Sequence, residues 1–198
     1  MQDKPLNYYN FPFKITLASG SPRRKELLMN LGLKFEIKAT DINEDFPAEL
    51  TAEKIPLYLA EKKADAYKFE SIEEIVITSD TIVWLEGKVM NKPINYEEAF
   101  NMLSELSGKK HQVYTAVCIK SMSKKVLFFD KTDVYFKKLT IEEIDFYIKN
   151  YPVYDKAGSY GVQDWLGYIG IEKIDGCFYN VMGLPIRKVY ESLISFKM

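Results

Sequence analysis

The segment 17–25, with the sequence LASGSPRRK, combines a strand end, a tight turn, a helix start and three cations. Ser19 and the glycine after it suit a strand-to-helix turn, and the Ser-Pro pair that follows suits the first positions of a helix. The N-terminus of a helix offers free N–H groups. Arg23 and Arg24 add positively charged guanidinium groups, whose geometry matches phosphate oxygens. Because cations are unfavourable at this end of a helix unless an anion compensates them, the segment predicts a polyphosphate site. The alternative is an ordinary capped helix with a solvated basic first turn.

Asp80 is the second residue that could do chemistry, because it lies between two apolar, β-branched runs in the sequence VITSDTIV. A carboxylate is costly to bury there unless it meets a cation, a metal or N–H donors. The pattern therefore predicts either a chemically active carboxylate or an aspartate held in a turn between two short strands. Glu44, in an acidic loop, could join Asp80 around a hard divalent ion, although acidic loops are usually only solvated.

Four further polar residues have a weaker signal. Lys63 follows another lysine in a predicted helix and Lys92 ends a predicted hairpin, and residues of this kind are more often surface lysines. Gln163 ends the Gly-rich segment 155–163, where its amide could donate to and accept from a nucleobase edge, although such a loop could equally be a simple connection. His111, the only histidine, begins a predicted strand without an acidic or serine neighbour, and we expect it to be solvated.

The elements that must position these residues follow from hydrophobic periodicity and from helix start and stop signals. Helices are predicted over 22–31, about 51–67, 96–106, 141–150 and about 184–196. Strands are predicted over 14–18, 35–40, 75–78, 81–85, 89–90, 112–119, 126–129 and 132–136, with the last three as an antiparallel meander. The stretch 151–176 is predicted to be irregular. This order predicts an α/β fold with a mixed sheet, helices on its faces and a cleft between two halves.

Composition limits the class of protein. A chain of 198 residues, 47% apolar and 28% charged, predicts one globular domain, 1–198. A net charge of −1 gives no general attraction to nucleic acid or to an anionic membrane, so neither is an expected partner. Cys118 and Cys177 match no zinc spacing and are expected to be reduced thiols. No apolar run is long enough to span a bilayer, and we expect a soluble, cytoplasmic protein.

Five motifs, in order along nearly the whole chain, resemble those of the Maf family of nucleoside triphosphate pyrophosphatases. They are SGSPRR at 19–24, SDTIV at 79–83, NKP at 91–93, KAGSYGVQ at 156–163 and NVMGLP at 180–185. The resemblance implies an inosine-triphosphate-pyrophosphatase-like α/β fold with a mixed twisted sheet, an active-site cleft between two lobes and a homodimer. It also implies hydrolysis of a nucleoside triphosphate to the monophosphate and pyrophosphate, assisted by a divalent metal cation, Mg²⁺ or Mn²⁺.

The resemblance assigns roles to residues at the matching positions. It implies that Asp80 is the proton acceptor and that three further residues assist catalysis: Glu44, Lys63 and Lys92. It implies phosphate binding by Ser19, Arg23 and Arg24, substrate choice by Arg23, Thr81 and Gln163, and metal binding by Glu44 and Asp80.

The segment 156–163 resembles the branch of the family that acts on dTTP and UTP, whereas the branch that acts on 7-methyl-GTP lacks the glutamine. The chain departs from the family at Tyr151, where many members have Glu, and at Asp164-Trp165, where Gly is common. Two alternatives stay open: the same reaction on modified nucleotides or 7-methyl-GTP, and a nucleotide-binding regulator of cell division, since the family is associated with septation. The presence of every candidate catalytic residue favours an enzyme.

Overall fold

The computed structural model describes residues 11–39 and 42–196, and these ranges form an α/β fold. The helices within them are α1 (Pro22–Asn30), α2 (Lys54–Asp65), α3 (Tyr96–Leu106), α4 (Ile141–Asn150), α5 (Trp165–Gly170), α6 (Phe178–Met182) and α7 (Ile186–Ile194). The strands are β1 (Lys14–Leu17), β2 (Phe35–Ile37), β3 (Glu74–Leu85), β4 (Lys88–Met90), β5 (Lys110–Lys120), β6 (Lys125–Phe136) and β7 (Ile171–Asp175). No helix in the described ranges is both long enough and apolar enough to cross a membrane.

The strands form one seven-stranded sheet in the order β2-β1-β3-β5-β6-β7, with β4 paired to β3. β1 pairs in parallel with β2 and with β3, so that Leu17 lies beside Ile37 on one side and Ile77 on the other. β3 with β4 and β6 with β7 are antiparallel. The sheet is therefore mixed, and the predicted α/β class with helices and a mixed sheet is confirmed.

The chain divides into two compact units. Of the described residues, the first unit contains 11–39, 42–80, Thr115–Phe129 and 183–196, and the second contains Thr81–Tyr114 and Asp130–Met182. Strands β3, β5 and β6 contribute residues to both units. The prediction of one domain over 1–198 and that of a cleft stay predictions.

In the first unit, α2 lies against the sheet through small side chains. Ala60 and Ala64, four residues apart on one face of the helix, pack against Ala116 and Cys118 of β5. Short side chains allow the helix backbone to approach the strand closely, and this brings the residue between them on the same side, Lys63, to the sheet surface.

In the second unit, α3 and α4 pack on the sheet strands and contribute Leu103, Leu106 and Tyr147 to the core. Both helices begin at well-formed caps: the Asn95 side chain accepts from the backbone of α3, and Thr140 forms a capping box with Glu143 at the start of α4. Helices at 96–106 and 141–150 were predicted, and both predictions are confirmed.

His111 belongs to this second core, and the expectation that it is solvated is wrong. The imidazole is 0% exposed, contacts Phe136 edge-on, and makes a 2.7 Å hydrogen bond through Nε2 to the Tyr160 hydroxyl. Burial lowers its pKa to about 4, so the ring is neutral at physiological pH.

Three predicted boundaries are also wrong. The runs 75–78 and 81–85 form one strand, β3, because the carboxylate of Asp80 finds a cation and needs no turn. The predicted strands 126–129 and 132–136 likewise form one strand, β6, so the meander is absent from the described residues. The stretch 151–176, predicted as irregular, contains α5 and β7.

Candidate active site

Two carboxylates of the first unit lie against the Lys63 ammonium. Its Nζ atom lies 2.7 Å from Asp80 Oδ1 and 2.7 Å from Glu44 Oε1. Lys63 is only 7% exposed, as is Asp80, whereas Glu44 is exposed. A lysine buried in this way is no ordinary surface lysine, since a buried ammonium needs compensating charge.

Alternation along β3 explains why Asp80 reaches α2. Side chains two apart in a strand point to the same face, and Thr78 and Asp80 both meet α2. The Thr78 hydroxyl donates to the Ala60 carbonyl oxygen at 2.6 Å, three residues before Lys63 in the helix. This bond fixes the helix against the strand at the position where the ion pair forms.

Burial is the largest influence on the Asp80 carboxylate and raises its pKa. The charges of Lys63 and Arg24 oppose that rise, and Glu44 adds to it. Desolvation likewise lowers the pKa of Arg24, although a guanidinium stays protonated in proteins. The result is a desolvated carboxylate beside two cations, an arrangement that suits proton transfer or cation binding.

Arg24 connects three segments of the first unit. Its Nη1 donates to the Ser79 carbonyl oxygen at 2.9 Å and to Ser19 Oγ at 3.3 Å, and its Nε donates to the Gly183 carbonyl oxygen at 2.9 Å. The Ser79 hydroxyl donates to the same Gly183 oxygen at 3.3 Å. Arg24 therefore fixes the start of α1 beside the strand that carries Asp80.

The turn before α1 is built differently from the expectation. Ser21 occupies the N-cap position and Pro22 begins the helix, as predicted, but the Ser21 side chain makes no capping bond. Ser19 Oγ instead accepts from the Ser21 backbone N–H at 3.3 Å. Arg23, in the first turn of α1, is half-buried.

The structure thus brings Ser19, Arg24, Glu44, Lys63 and Asp80 together through contacts within the first unit. Gly183 was not singled out from the sequence, although it lies in the motif NVMGLP. A carbonyl oxygen carries no side-chain signal, so only that motif could have pointed to it.

The second unit holds the other predicted site residues. Thr81 is half-buried in β3, and Lys92 is exposed just after β4. The backbone N–H of Gly158 donates to the Asn91 carbonyl oxygen at 3.2 Å, which places the segment around Lys92 beside the Gly-rich loop.

Gly158 is required at its position in this loop. Its φ of +67° lies in the left-handed region, and a Cβ atom there would lie 3.0 Å from a methyl group of Val83. The Gly-rich loop is therefore packed closely on β3 rather than being a simple connection.

Gln163 lies at the end of this loop and is half-buried. Its Nε2 donates to Asp164 Oδ1 at 3.2 Å. Its Oε1 is buried and has no hydrogen-bond partner among the residues that the structure describes. The amide can therefore accept a hydrogen bond from a ligand without breaking one inside the protein.

Metal-binding groups are few in the described parts of the chain. No cluster of three or more His, Cys, Asp or Glu side chains that could hold a metal ion occurs in residues 11–39 and 42–196. The two carboxylates predicted to hold a cation, Glu44 and Asp80, converge on Lys63 Nζ. These oxygens are hard donors of the kind that Mg²⁺ and Mn²⁺ prefer.

Comparisons with known sequences agree with the family resemblance. A sequence model for the family described as Maf-like protein matches residues 14–196. A dTTP/UTP pyrophosphatase of Phocaeicola vulgatus is 52% identical over 183 residues, which cover 91% of this chain and 95% of that protein. The dTTP/UTP pyrophosphatases of Porphyromonas gingivalis and Flavobacterium johnsoniae are each 50% identical and cover 93% and 91% of this chain, and each matches over 94% of its own length.

A comparison with solved structures bears on the fold. The HAM1 protein from Coxiella burnetii superposes with a TM-score of 0.52 and 14% sequence identity, over 92% of this chain and 99% of that chain. At this identity the likeness concerns the fold alone, and it agrees with the α/β architecture predicted from the sequence.

Proposed function

The chain belongs to the Maf family, and we propose that it hydrolyses dTTP and UTP to the nucleoside monophosphates and pyrophosphate. The observation that carries the proposal is the buried Asp80 carboxylate, paired with the Lys63 ammonium and influenced by the charge of Arg24. The relatives named dTTP/UTP pyrophosphatase, which match over most of the chain, support the choice of substrate.

We assign to Asp80 the role of proton acceptor for the attacking water. Burial raises its pKa and so makes it a stronger base than an exposed aspartate, while Lys63 favours its ionised form before the transfer. As the proton moves to Asp80, the water oxygen bonds to the α-phosphorus. The bond from this phosphorus to the bridging oxygen of pyrophosphate breaks, and pyrophosphate leaves. Holding a cation is the alternative role for the same carboxylate.

The phosphate-binding role is proposed for residues at the start of α1 and for two lysines. The N-terminus of this nine-residue helix favours anions, and Ser19, Arg23 and Arg24 lie on or just before it. Lys63 and Lys92 complete the set of proposed cations. Positive charge fixed in place before the reaction stabilises the charge that grows on the phosphate oxygens as pyrophosphate leaves.

A divalent cation, Mg²⁺ or Mn²⁺, is part of the proposal. Glu44 would hold it, together with Asp80 in the alternative role of that carboxylate, since the oxygens of both converge on one cation, Lys63 Nζ. When bound, such an ion neutralises charge on the phosphate oxygens.

Base choice is proposed to lie with Gln163, together with Arg23 and Thr81. The buried Oε1 of Gln163 needs a donor, and the imide N–H of uracil or thymine supplies one. A base that fails to supply it leaves this oxygen unsatisfied, at a cost of about 1–3 kcal/mol.

We further propose a cytoplasmic homodimer. Cys118 and Cys177 are free thiols, as expected in a reducing compartment. The dimer rests on the family resemblance alone, and light scattering of the purified chain measures it directly.

The experiment that tests the function is a substrate panel with a pyrophosphate readout. The purified chain, with Mg²⁺ or Mn²⁺, is offered dTTP, UTP, CTP, the purine triphosphates and 7-methyl-GTP. We expect selective release of pyrophosphate from dTTP and UTP. Selective turnover of another nucleotide would keep the reaction and contradict the substrate, and no release from any nucleotide would contradict both.

A further inference from the structure

Asp164 has both carboxylate oxygens engaged beside Gln163. Oδ1 accepts from Gln163 Nε2 at 3.2 Å, and Oδ2 accepts from the Tyr147 hydroxyl at 2.9 Å. Asp164 is at the N-cap position of α5, where an aspartate ordinarily accepts from the first turn, yet its side chain makes no capping bond. The carboxylate is therefore oriented toward the Gln163 amide rather than toward its own helix.

Asp164 is held rigidly in this position. Tyr147 is fully buried, and its hydroxyl accepts from the Gly161 backbone N–H at 3.0 Å while donating to Asp164. Lys156 is 4% exposed, and its Nζ lies 3.6 Å from Asp164 Oδ2. A Cβ atom on Gly161 would lie 2.4 Å from that oxygen, so only glycine permits this approach. Two anchors and a close backbone contact thus leave the carboxylate little freedom.

The contact decides which end of the Gln163 amide faces Asp164. A carboxylate oxygen can only accept a hydrogen bond, so the amide nitrogen must face Asp164 and the amide oxygen must face away. A flipped amide would place Gln163 Oε1 against Asp164 Oδ1, two acceptors in contact. The buried Oε1 is therefore a fixed acceptor, and Nε2 keeps one further hydrogen to donate.

This fixed orientation distinguishes pyrimidine bases. Uracil and thymine present an N–H donor at ring position 3 and a carbonyl acceptor at position 4, whereas cytosine presents an acceptor and an amino donor at the same places. An amide of one orientation pairs with the first pattern, and the flipped amide pairs with the second. Guanine presents the same donor and acceptor order as uracil, so amide orientation does not separate these two bases.

We propose that Asp164 is a specificity-determining residue, which fixes the Gln163 amide so that the site accepts uracil and thymine and rejects cytosine. The inference rests on the proposed function in assigning the base to Gln163. Asp164 acts through Gln163 and is a positioning residue, with no contact to the reacting atoms required of it.

The test is Asp164→Asn, which is nearly isosteric but can either accept from or donate to the Gln163 amide, and so permits both orientations. We expect the ratio of kcat/KM for UTP over CTP to fall by about tenfold or more, while the ratio for UTP over GTP does not change. A merely structural lesion would lower activity with all three nucleotides together. An unchanged UTP-to-CTP ratio in a folded Asp164→Asn variant would overturn the proposal.

Two further variants sharpen the test. In a Gln163→Leu background no amide remains to be oriented, so Asp164→Asn should leave the UTP-to-CTP ratio unaltered. Tyr147→Phe removes one anchor of Asp164 without altering its charge and should shift the ratio in the same direction by a smaller factor. Should Asp164→Asn fail to fold, an unchanged ratio in Tyr147→Phe would overturn the proposal. Asp155→Asn is the matched control, since this carboxylate lies 2.9 Å from the same Lys156 ammonium.

Binding separates this inference from the proposed function. Calorimetric titration with UMP and CMP, which offer no pyrophosphate to release, measures base preference without turnover. A preference for UMP that Asp164→Asn reduces would support the inference even if the wild-type chain hydrolysed nothing. Turnover of UTP with an unchanged preference in the variant would support the function and overturn the inference.

Discussion

Asp80 and Lys63 form the pair on which the proposed chemistry depends at the scale of single residues. Neither charge would be tolerated alone where it lies, because a buried charge without a partner destabilises the fold by on the order of several kcal/mol. Together they give a charged, desolvated carboxylate within a strand. Chemical reactivity and local stability thus have the same cause.

Replacing Asp80 with asparagine should abolish most of the activity while keeping the shape of the side chain. We expect kcat for dTTP to fall by about 10²–10⁴, the usual contribution of a positioned general base. Asp65→Asn is the matched control, since Asp65 lies on α2 in an exposed ion pair with Lys120 and should leave kcat unchanged. Equal losses in both variants would show that charge removal near α2, rather than proton transfer, lowers the rate.

The pH dependence should report the Asp80 carboxylate. A base works only when unprotonated, so kcat/KM rises with pH through the pKa of Asp80. Because burial raises this pKa, the acid limb should lie above the range of an exposed aspartate, which titrates near about 3.9. Rate profiles measured while the protein stays folded give the limb. A profile that is flat through the acid range, or a limb that persists in Asp80→Asn, would contradict the assignment.

The sequence indicated which residues belong to the candidate site, but it did not predict their burial or their neighbours. A carboxylate between β-branched runs pointed to Asp80, and Gln163 was suggested by its Gly-rich loop. The burial of Lys63 was not predictable, because nothing in the local sequence pattern distinguishes Lys63 from the neighbouring Lys62. The two lysines differ only in how α2 packs on β3. The prediction that His111 is solvated failed because its aromatic neighbours, Phe136 and Tyr160, come from distant parts of the chain.

At the scale of elements, the Gly-rich loop depends on backbone conformations that other residues avoid. Gly158 has a left-handed φ and lies against Val83, whereas Gly87, in the turn between β3 and β4, has φ +89° and no atom within 4 Å of a Cβ placed on it. A residue with a side chain would have a strained backbone at either position. Only at Gly158 would its Cβ atom also press against a neighbouring side chain.

A pair of alanine substitutions separates these effects. Gly87→Ala should lower the free energy of unfolding by about 1–2 kcal/mol through the left-handed conformation alone. Gly158→Ala should lower it further, by about 1–3 kcal/mol, through the contact with Val83. Urea denaturation of both variants measures the difference. Equal losses would mean that the loop shifts away from β3 at no cost.

Elements with strong local signals were predicted well, and those without them were missed. The helices 96–106 and 141–150 have polar caps and a clear apolar face, and both match the structure. α5 was missed because it is six residues long and contains two glycines, of which Gly167 lies against the Val162 carbonyl oxygen. β7 was missed because a five-residue strand at the end of the sheet order is mostly exposed and carries little apolar pattern.

At the scale of the whole molecule, three strands run through both compact units, so their backbones link the stability of the units. We expect a single cooperative unfolding transition. Trp84 and Trp165, the two tryptophans of the chain, both lie in the second unit, whereas far-UV circular dichroism reports helices and strands of both. The two unfolding curves in urea should therefore coincide. Fluorescence and dichroism midpoints that differ would show that the units unfold separately.

The α/β class and the mixed sheet followed from the order of the predicted elements, but the division into units did not. A division of this kind depends on contacts between segments far apart in sequence: residues 115–129 and 183–196 join the described residues before Thr81 in one unit. Local periodicity carries no information about such pairings.

The proposed role of Asp80 is tested most directly by measuring pyrophosphate release from dTTP by the wild-type chain and by Asp80→Asn, in parallel and with Mg²⁺ present. We predict rapid release by the wild type and a loss of about 10²–10⁴ in kcat for the variant, with the variant still folded. Full turnover by Asp80→Asn would contradict the role given to the buried carboxylate. No release by the folded wild type would contradict the proposed function itself.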